Sequence, residues 1–486
     1  MIRNGGRLMI IPQIPRSWLP QHDPYHELNS FRSNFYDCCS RRADVLFELT
    51  DAVACGTTPV TDLARLSLEV EHRRGHGGLY DALNAGVIDT DQLRAVIAGG
   101  PIPKIATPDG RRRIVLAVDV SHWLRPDAAT SPDRAFCHTC ARGRGQADMI
   151  PGWPYSFVAA LEPGATSWTA LLDAVRLHPD DDATMVTAAQ LTTVIGQLQC
   201  AGQQQPHDPD ILVVADAGYD LARLAWLLAD APVIIIGRVR SDRVFYGPAG
   251  QRKGPTKGRG PRHGRRVALK DPATHTQPTL TTVTDTTRYG CAHAMAFARM
   301  HPKLETRSGW KHDQHFRGQL PIIEGTLFRL AVDHLPGDRD PKPVWLWASK
   351  PIPDNGAEVD HWWAMFIRRF DLEHTFRFLK QTLGWTRPHL RNPAAADRWT
   401  WLIIAAHTQL RLARPLARDC RLPWQPPLTA DKLTPARVRA GYRRTCQTAI
   451  HPADAPKACR AGPGRPKGSK NRTKAPIQPV GKQSKP

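Results

Sequence analysis

Residues 362–391 read WWAMFIRRFDLEHTFRFLKQTLGWTRPHLR, and the reading of this stretch decides that of the chain. Its apolar residues Met365, Leu372, Phe376, Leu379 and Leu383 recur at helical spacing, which predicts an amphipathic helix buried along one stripe. At about 100° per residue, Phe366, Arg369, Glu373 and Lys380 share a sector of roughly 60°, so one carboxylate stands between two cations beside an aromatic ring. Such a face is either a site or a solvated helix laced with ion pairs, because Arg369 and Glu373 also have the spacing of an ordinary surface pair. The rest of the chain has to decide.

Two apolar runs upstream end in aspartates. Residues 114–120, IVLAVDV, predict a strand with Asp119 near its end, and residues 211–215, ILVVA, predict another that leads into Asp216 and a glycine turn. Further strands are expected at 155–161, 166–171 and 233–239, with helices at 183–200 and from about 221 to 228, a β/α alternation. Strand-terminal aspartates lie at the sheet edge where ligands gather, and a carboxylate from a packed helix can meet them there. Singly, an aspartate just past a strand is more often a turn or cap residue, so the conjunction of two strand aspartates with a helical glutamate is what counts. Asp127 and Asp133 are fallbacks for the first position and Asp220 for the second; neither Asp127 nor Asp133 follows an apolar strand. Three converging carboxylates repel unless divalent cations sit between them. Hard oxygen ligands select Mg2+ or Mn2+, and a pair of such ions can activate an oxygen nucleophile and stabilise the leaving oxygen in phosphodiester displacement.

The composition fits a polyanionic partner. In 486 residues, 66 lysines and arginines face 45 acids, giving a formal charge of +21 and favouring nucleic acid or an anionic surface over a small neutral ligand. No segment approaches the roughly 20 apolar residues of a membrane span, and the short run at 8–12 is no secretory core, so a non-secreted, cytoplasmic protein is expected. Ten cysteines include one metal-like spacing, Cys137-His138-Thr139-Cys140. Without a second pair this reads as reduced thiols rather than as a zinc site.

Along the chain, residues 1–42 hold Pro12, Pro15, Pro20 and Pro24 and read as a loosely ordered lead-in. Residues 43–110 are helical in pattern, with Thr61-Asp62 and Thr90-Asp91 as N-terminal caps, and serve either as a DNA-binding module or as a packing domain. Residues 111–240 form the first part of an α/β core. Residues 241–343 begin with a basic loop, QRKGPTKGRGPRHGRR, and continue as a β-rich insertion; the one-sided charge of the loop points to phosphate contact. Residues 344–415 hold the Glu373 helix and a second apolar helix at 398–412, and 416–486 read as a disordered, proline-rich basic tail. Within that tail, Gly464-Arg465-Pro466-Lys467 and the cations after it resemble an AT-hook, which lies in a narrow minor groove; a nonspecific basic tail is the alternative.

Taken together, the sequence resembles the DDE transposases of bacterial insertion sequences. Their Tyr-x2-Arg-x3-Glu-x6-Lys signature is met by Arg369, Glu373 and Lys380, with Phe366 in place of the tyrosine, and the aspartates sit in LAVDVSHWLRP and VVADAGYD. The resemblance spans roughly residues 110–415. It implies an α/β fold: a ribonuclease-H-like catalytic core interrupted by a mainly β insertion, with a helical N-terminal domain. It further implies that Asp119, Asp216 and Glu373 are catalytic and bind two Mg2+ or Mn2+ ions. Phe366, Arg369 and Lys380, together with Arg465, Pro466 and Lys467 of the tail, would contact DNA. The reaction implied is hydrolysis at element ends, then attack of the freed 3′-hydroxyl on target DNA. Double-stranded DNA is the implied partner, with a homodimer in the DNA complex, no membrane, and association with the nucleoid when bound. Phenylalanine at 366 can stack but cannot donate a hydroxyl to phosphate. A catalytically inactive or domesticated DNA-binding derivative, and a nuclease of the same fold, stay open as alternatives.

Overall fold

The computed structural model describes residues 24–140, 147–164, 166–250, 260–305, 309–311, 319–335, 340–457, 468 and 473–482. The chain divides into two compact units. One comprises Pro103–Thr193, Pro206–Phe376 and Ile477–Pro486, the other Met1–Ile102, Val194–Gln205 and Arg377–Pro476.

The first unit is built on a mixed sheet. Its strands include, in chain order, β1 Val115–Leu124, β2 Arg134–Cys140, β3 Ala147–Leu161, β4 Thr169–Arg176, β5 Ile211–Ala215, β6 Val233–Val239, β7 Leu280–Thr286, β8 Gly290–Pro302, β9 Gly325–Val332 and β10 Val344–Ala348. At its centre the order is β4-β3-β1-β5-β6. β3 runs antiparallel to β4 and β1, while β5 runs parallel to both β1 and β6. This antiparallel-then-parallel order is the ribonuclease-H-like arrangement that the sequence implied. Residues 114–118 and 211–215 are fully buried, as strands covered on both faces require. Gly237 on β6 leaves the space that a helix above needs, since a Cβ there would lie 2.5 Å from Leu221 Cδ2.

The β-rich stretch after residue 241 extends this same sheet. β10 pairs antiparallel with β6, and β9, β8 and β7 follow outward from it. Helix Gly356–Arg368, N-capped by the Asn355 side chain, is tied to β7 through Asp360, which accepts from the hydroxyls of Thr282 and Thr284 at 2.6 Å each. Glu358 on the same helix meets Arg113 at 2.5 Å.

Several elements differ from expectation. The strand at 134–140 was not anticipated. The single helix expected over 362–391 is two, Gly356–Arg368 and Phe370–Gln381; Arg369 between them keeps helical angles (φ −49°, ψ −28°), so the interruption is one residue long. The apolar stripe is as read: Met365, Leu372, Phe376, Leu379 and Leu383 are all buried. Val480–Lys482 pairs parallel with β2, so the tail is not wholly irregular.

The second unit is helical. Pro24–Asp37 lies in the expected lead-in, where Leu28, Phe31 and Phe35 form a buried stripe that the prolines before them obscured. Pro393–Ala413 belongs with this unit and is buried along nearly its whole length. The tail holds a further helix, Pro435–Thr448, capped by Thr434 and buried through Val438, Tyr442 and Cys446; its arginines masked that four-residue spacing. Of the expected caps, Asp62 accepts from the Arg65 amide at 2.8 Å, whereas the helix at Thr90 is capped by Asp89 instead. Residues 251–259 of the basic loop, and Arg465, Pro466 and Lys467, lie outside the described residues.

One buried pair ties the helical unit together. Arg32, fully buried, grips both carboxylate oxygens of Asp51 at 2.7 and 2.8 Å and donates to Gln409 Oε1 at 2.5 Å and to the Ile450 carbonyl at 2.8 Å. Replacing Arg32 with methionine strands the Asp51 carboxylate in the core, which is expected to cost about 3–5 kcal/mol. Urea unfolding of the full chain measures this, and an unchanged midpoint for the helical-unit transition contradicts it.

Candidate active site

The sheet register alone brings two of the expected acids together. Ala117 on β1 pairs with Val214 on the parallel strand β5, the last pair of that register, and Asp119 and Asp216 each follow two residues on, Asp216 just past the end of β5. β1 thus loses its β5 partner where its acid stands, and residues 119 and 120 are the first of the strand to be only partly covered.

Helix Phe370–Gln381 brings the third acid. Its buried face rests on the sheet: the Phe376 ring lies 5.1 Å from that of Phe157 on β3, and the Thr375 hydroxyl meets that of Thr169 on β4 at 2.9 Å. Glu373 stands in its first turn, on the exposed side.

Arg369 sits among all three. Its Nη1 donates to Asp119 Oδ2 at 2.8 Å, the same nitrogen lies 3.7 Å from Glu373 Oε1, and Nη2 lies 3.8 Å from Asp216 Oδ2. Only the first is a hydrogen bond; the other two are longer-range charge contacts. The arginine side chain is 13% exposed, against 43% for Asp216 and 48% for Glu373, so the cluster is open on the side of those two acids. Asp119 is the covered member. Burial pushes its carboxyl up to about 6, opposed by Arg369 and by the Val120 amide, which donates to Oδ1 at 2.8 Å.

Tyr219, not singled out from sequence, lies buried among the same charges. Burial, then the Asp119 carboxylate, hold its hydroxyl well above the usual tyrosine value. The quoted run VVADAGYD contains it, but an aromatic two residues into a turn gives no sign of which way it packs.

The remaining expected residues fall as follows. Phe366 is half-buried one turn before Arg369, and its carbonyl accepts the Arg369 amide at 3.0 Å. Lys380 belongs to the helical unit, its ammonium 5.6 Å from the Trp385 ring centroid. Among the signature positions, then, Arg369 and Glu373 meet the aspartates. Arg369, expected to contact DNA, lies against the acids in this structure, where three carboxylates attract a cation. Asp220 caps helix Leu221–Leu227 by accepting from the Arg223 amide. Asp127 lies 3.6 Å from Arg125 and Asp133 lies 3.6 Å from Arg176, so these three have structural partners of their own. Cys137–Cys140 runs through β2, and Cys137 is buried.

The donor set is all carboxylate oxygen, which suits a hard divalent cation. Among the described residues no three His, Cys, Asp or Glu side chains are grouped so as to hold a metal ion as they stand, and a guanidinium lies among the three acids instead. The residues therefore fit a divalent ion in chemistry, with Arg369 as the resident counter-charge.

The expectation that Asp119 ends its strand is corrected: β1 runs on to Leu124 against β3, so Asp119 lies mid-strand, just past the β1–β5 parallel pairing, and Asp216 follows the last residue of β5. A mixed sheet carrying acids there fits a nuclease-type fold. The chain belongs to the DDE superfamily endonucleases: that family's model matches residues 34–296, more than half of the sequence. Asp119 and Asp216 fall inside the match and Glu373 beyond it. No curated protein matches the sequence.

The raised Asp119 value has a signed consequence. The folded state holds a proton that the unfolded chain, with an ordinary carboxyl near 3.9, releases, so stability falls as pH rises from about 4 to about 6 and levels off above. Partial exposure keeps this below about 2–3 kcal/mol. Asp119→Asn removes that fall; urea midpoints from pH 4 to 7 in EDTA measure it, and parallel curves for the two proteins contradict it.

Proposed function

We propose that the chain is a DNA transposase that hydrolyses phosphodiesters at the ends of a mobile element and joins the freed 3′-hydroxyls to target DNA. The supporting observation is the gathering of Asp119, Asp216 and Glu373 around one guanidinium on a family-defined endonuclease fold. In this reading the three carboxylates hold two Mg2+ or Mn2+ ions. Bound there, such ions supply a polarised oxygen nucleophile and neutralise the leaving oxygen, and water and a ribose hydroxyl are equivalent nucleophiles to them. Asp119, fixed by the Val120 amide and covered by its neighbours, orients the cluster; Asp216 and Glu373 form its open side, where a phosphate can approach.

The rest of the chain serves the polyanion. A formal charge of +21 attracts DNA over the whole surface, Phe366 and Lys380 supply stacking and phosphate contact, and Arg465, Pro466 and Lys467 reach a minor groove. A homodimer on paired element ends and a nucleoid-associated protein belong to this reading; among the described residues no helix is long and apolar enough to cross a membrane. The endonuclease description of the family favours a second reading, in which the same site cuts without joining.

Asp119→Asn, Asp216→Asn and Glu373→Gln are each expected to lower Mg2+-dependent cleavage of a plasmid carrying the DNA that flanks the gene by at least about 100-fold, with DNA affinity largely retained. A variant that still cuts removes its residue from the site, and cleavage without joined products selects the endonuclease. Lys380→Ala should flatten the salt dependence of end binding by about one unit of slope, and an unchanged slope contradicts its phosphate role.

A further inference from the structure

We propose that Arg369 is a displaceable internal cation, holding the place between Asp119, Asp216 and Glu373 until divalent ions expel its guanidinium. The inference rests on the preceding reading of those acids as metal ligands, and concerns how the site is kept before the ions arrive.

The geometry of the pairing differs from that of the protein's structural arginines. Arg32 grips Asp51 through two nitrogens on two oxygens, at 2.7 and 2.8 Å, with both side chains out of solvent. Arg368, one residue before Arg369, sets both Nε and Nη2 on Asp371 Oδ2 at 3.1 and 2.6 Å. Arg369 makes one hydrogen bond, to Asp119, and meets the other two acids at 3.7 and 3.8 Å. Fork-to-fork pairing fixes geometry as well as charge. A guanidinium spread over three carboxylates compensates charge without that fixing, so its departure breaks a single bond.

Charge and backbone point the same way. Three carboxylates against one guanidinium leave the cluster negative, so it still draws cations, whereas two divalent ions would reverse its sign and repel the arginine. The backbone need not move for the side chain to leave: the Arg369 amide donates to Phe366 and its carbonyl accepts from Leu372, each at 3.0 Å, so rotation of the long side chain is enough. A ligand that binds only the open arrangement shows an affinity reduced by the fraction of time the site is open. An arginine in place about nine-tenths of the time therefore weakens metal binding about tenfold.

Mn2+ binding to the full chain without DNA, followed by calorimetry and by the electron paramagnetic resonance of free Mn2+, tests this. Arg369→Gln should tighten Mn2+ binding about tenfold, while Arg369→Lys, which keeps the charge, should stay within about twofold of wild type. In EDTA, Arg369→Gln should melt lower than wild type, and Mn2+ should raise its melting temperature by more than it raises that of wild type. If Arg369→Gln is unfolded in EDTA, its refolding on addition of Mn2+ supports the proposal, and failure to refold overturns it. Unchanged or weaker Mn2+ affinity in Arg369→Gln, or equal tightening in Arg369→Lys, overturns it as well. Asp119→Asn separates the two readings: if it loses Mn2+ binding while Arg369→Gln does not tighten it, the internal-cation role fails and the site stands. Mn2+ binding indifferent to Asp119 ends the site reading itself.

Discussion

Two aspartates that follow the last paired residues of adjacent parallel strands are the constraint on which the rest of the sheet unit depends. The pairing of Ala117 with Val214 brings the chain to Asp119 and Asp216 two residues later on both strands, close enough for one guanidinium to reach both. Like charges at that spacing destabilise the fold unless a cation stands nearby. The helix break supplies one: with Arg369 between Gly356–Arg368 and Phe370–Gln381, its side chain reaches both aspartates and the glutamate one turn on. Crowding of the acids thus accounts for the direction Arg369 takes, while burial raises the proton affinity of Asp119 and the arginine moderates it.

Much of this was readable in the sequence because the signals are local. IVLAVDV and ILVVA are apolar runs, as strands covered on both faces must be, with Asp119 inside the first and Asp216 just after the second; the polar SH after VDV hid the continuation of the first strand to Leu124. The stripe from Met365 to Leu383 survives the break at Arg369 because that residue keeps helical angles. What failed to show was what charge or proline concealed. The helix at Pro24–Asp37 follows three prolines and begins on a fourth, and Pro435–Thr448 reads as tail because four arginines are interleaved with its apolar residues, although Val438, Tyr442 and Cys446 keep the spacing. The direction of Arg369 was beyond reach for a different reason: helical periodicity gives the face of a residue, not the partner it finds there, and the acids it meets are distant in sequence.

Buried Arg32 and partly covered Arg369 show that a charge inside a protein can have opposite duties. Arg32 is satisfied in full by Asp51, Gln409 and a backbone carbonyl, an arrangement that fixes how helices Pro24–Asp37, Ala43–Cys55 and Pro393–Ala413 pack and leaves it nothing further to bind. Arg369 has three carboxylates around it and hydrogen-bonds one. Surplus acceptors beside a half-open surface are a poor way to hold a fold together and a good way to hold a cation loosely. The same residue type is structural where its donors match its acceptors and exchangeable where they do not.

The β-rich stretch between the second aspartate and the glutamate also acquires a positional role. Glu373 lies far from Asp216 in sequence, and the family match stops before it, so its place depends on what anchors the helices around Arg369. Those anchors are Asp360 on the Thr282 and Thr284 hydroxyls of β7, Glu358 on Arg113 just ahead of β1, and Thr375 on Thr169 of β4. Two of the three join the helices to strands of the central sheet or its approach, and the third to a strand that reaches that sheet only through β8, β9 and β10. The added strands are therefore not an appendage to the fold. They extend the sheet to the point where the helix before Arg369 can be fastened, and with that helix fixed, the arginine and the glutamate after it meet the two aspartates where the parallel pairing of β1 and β5 has ended.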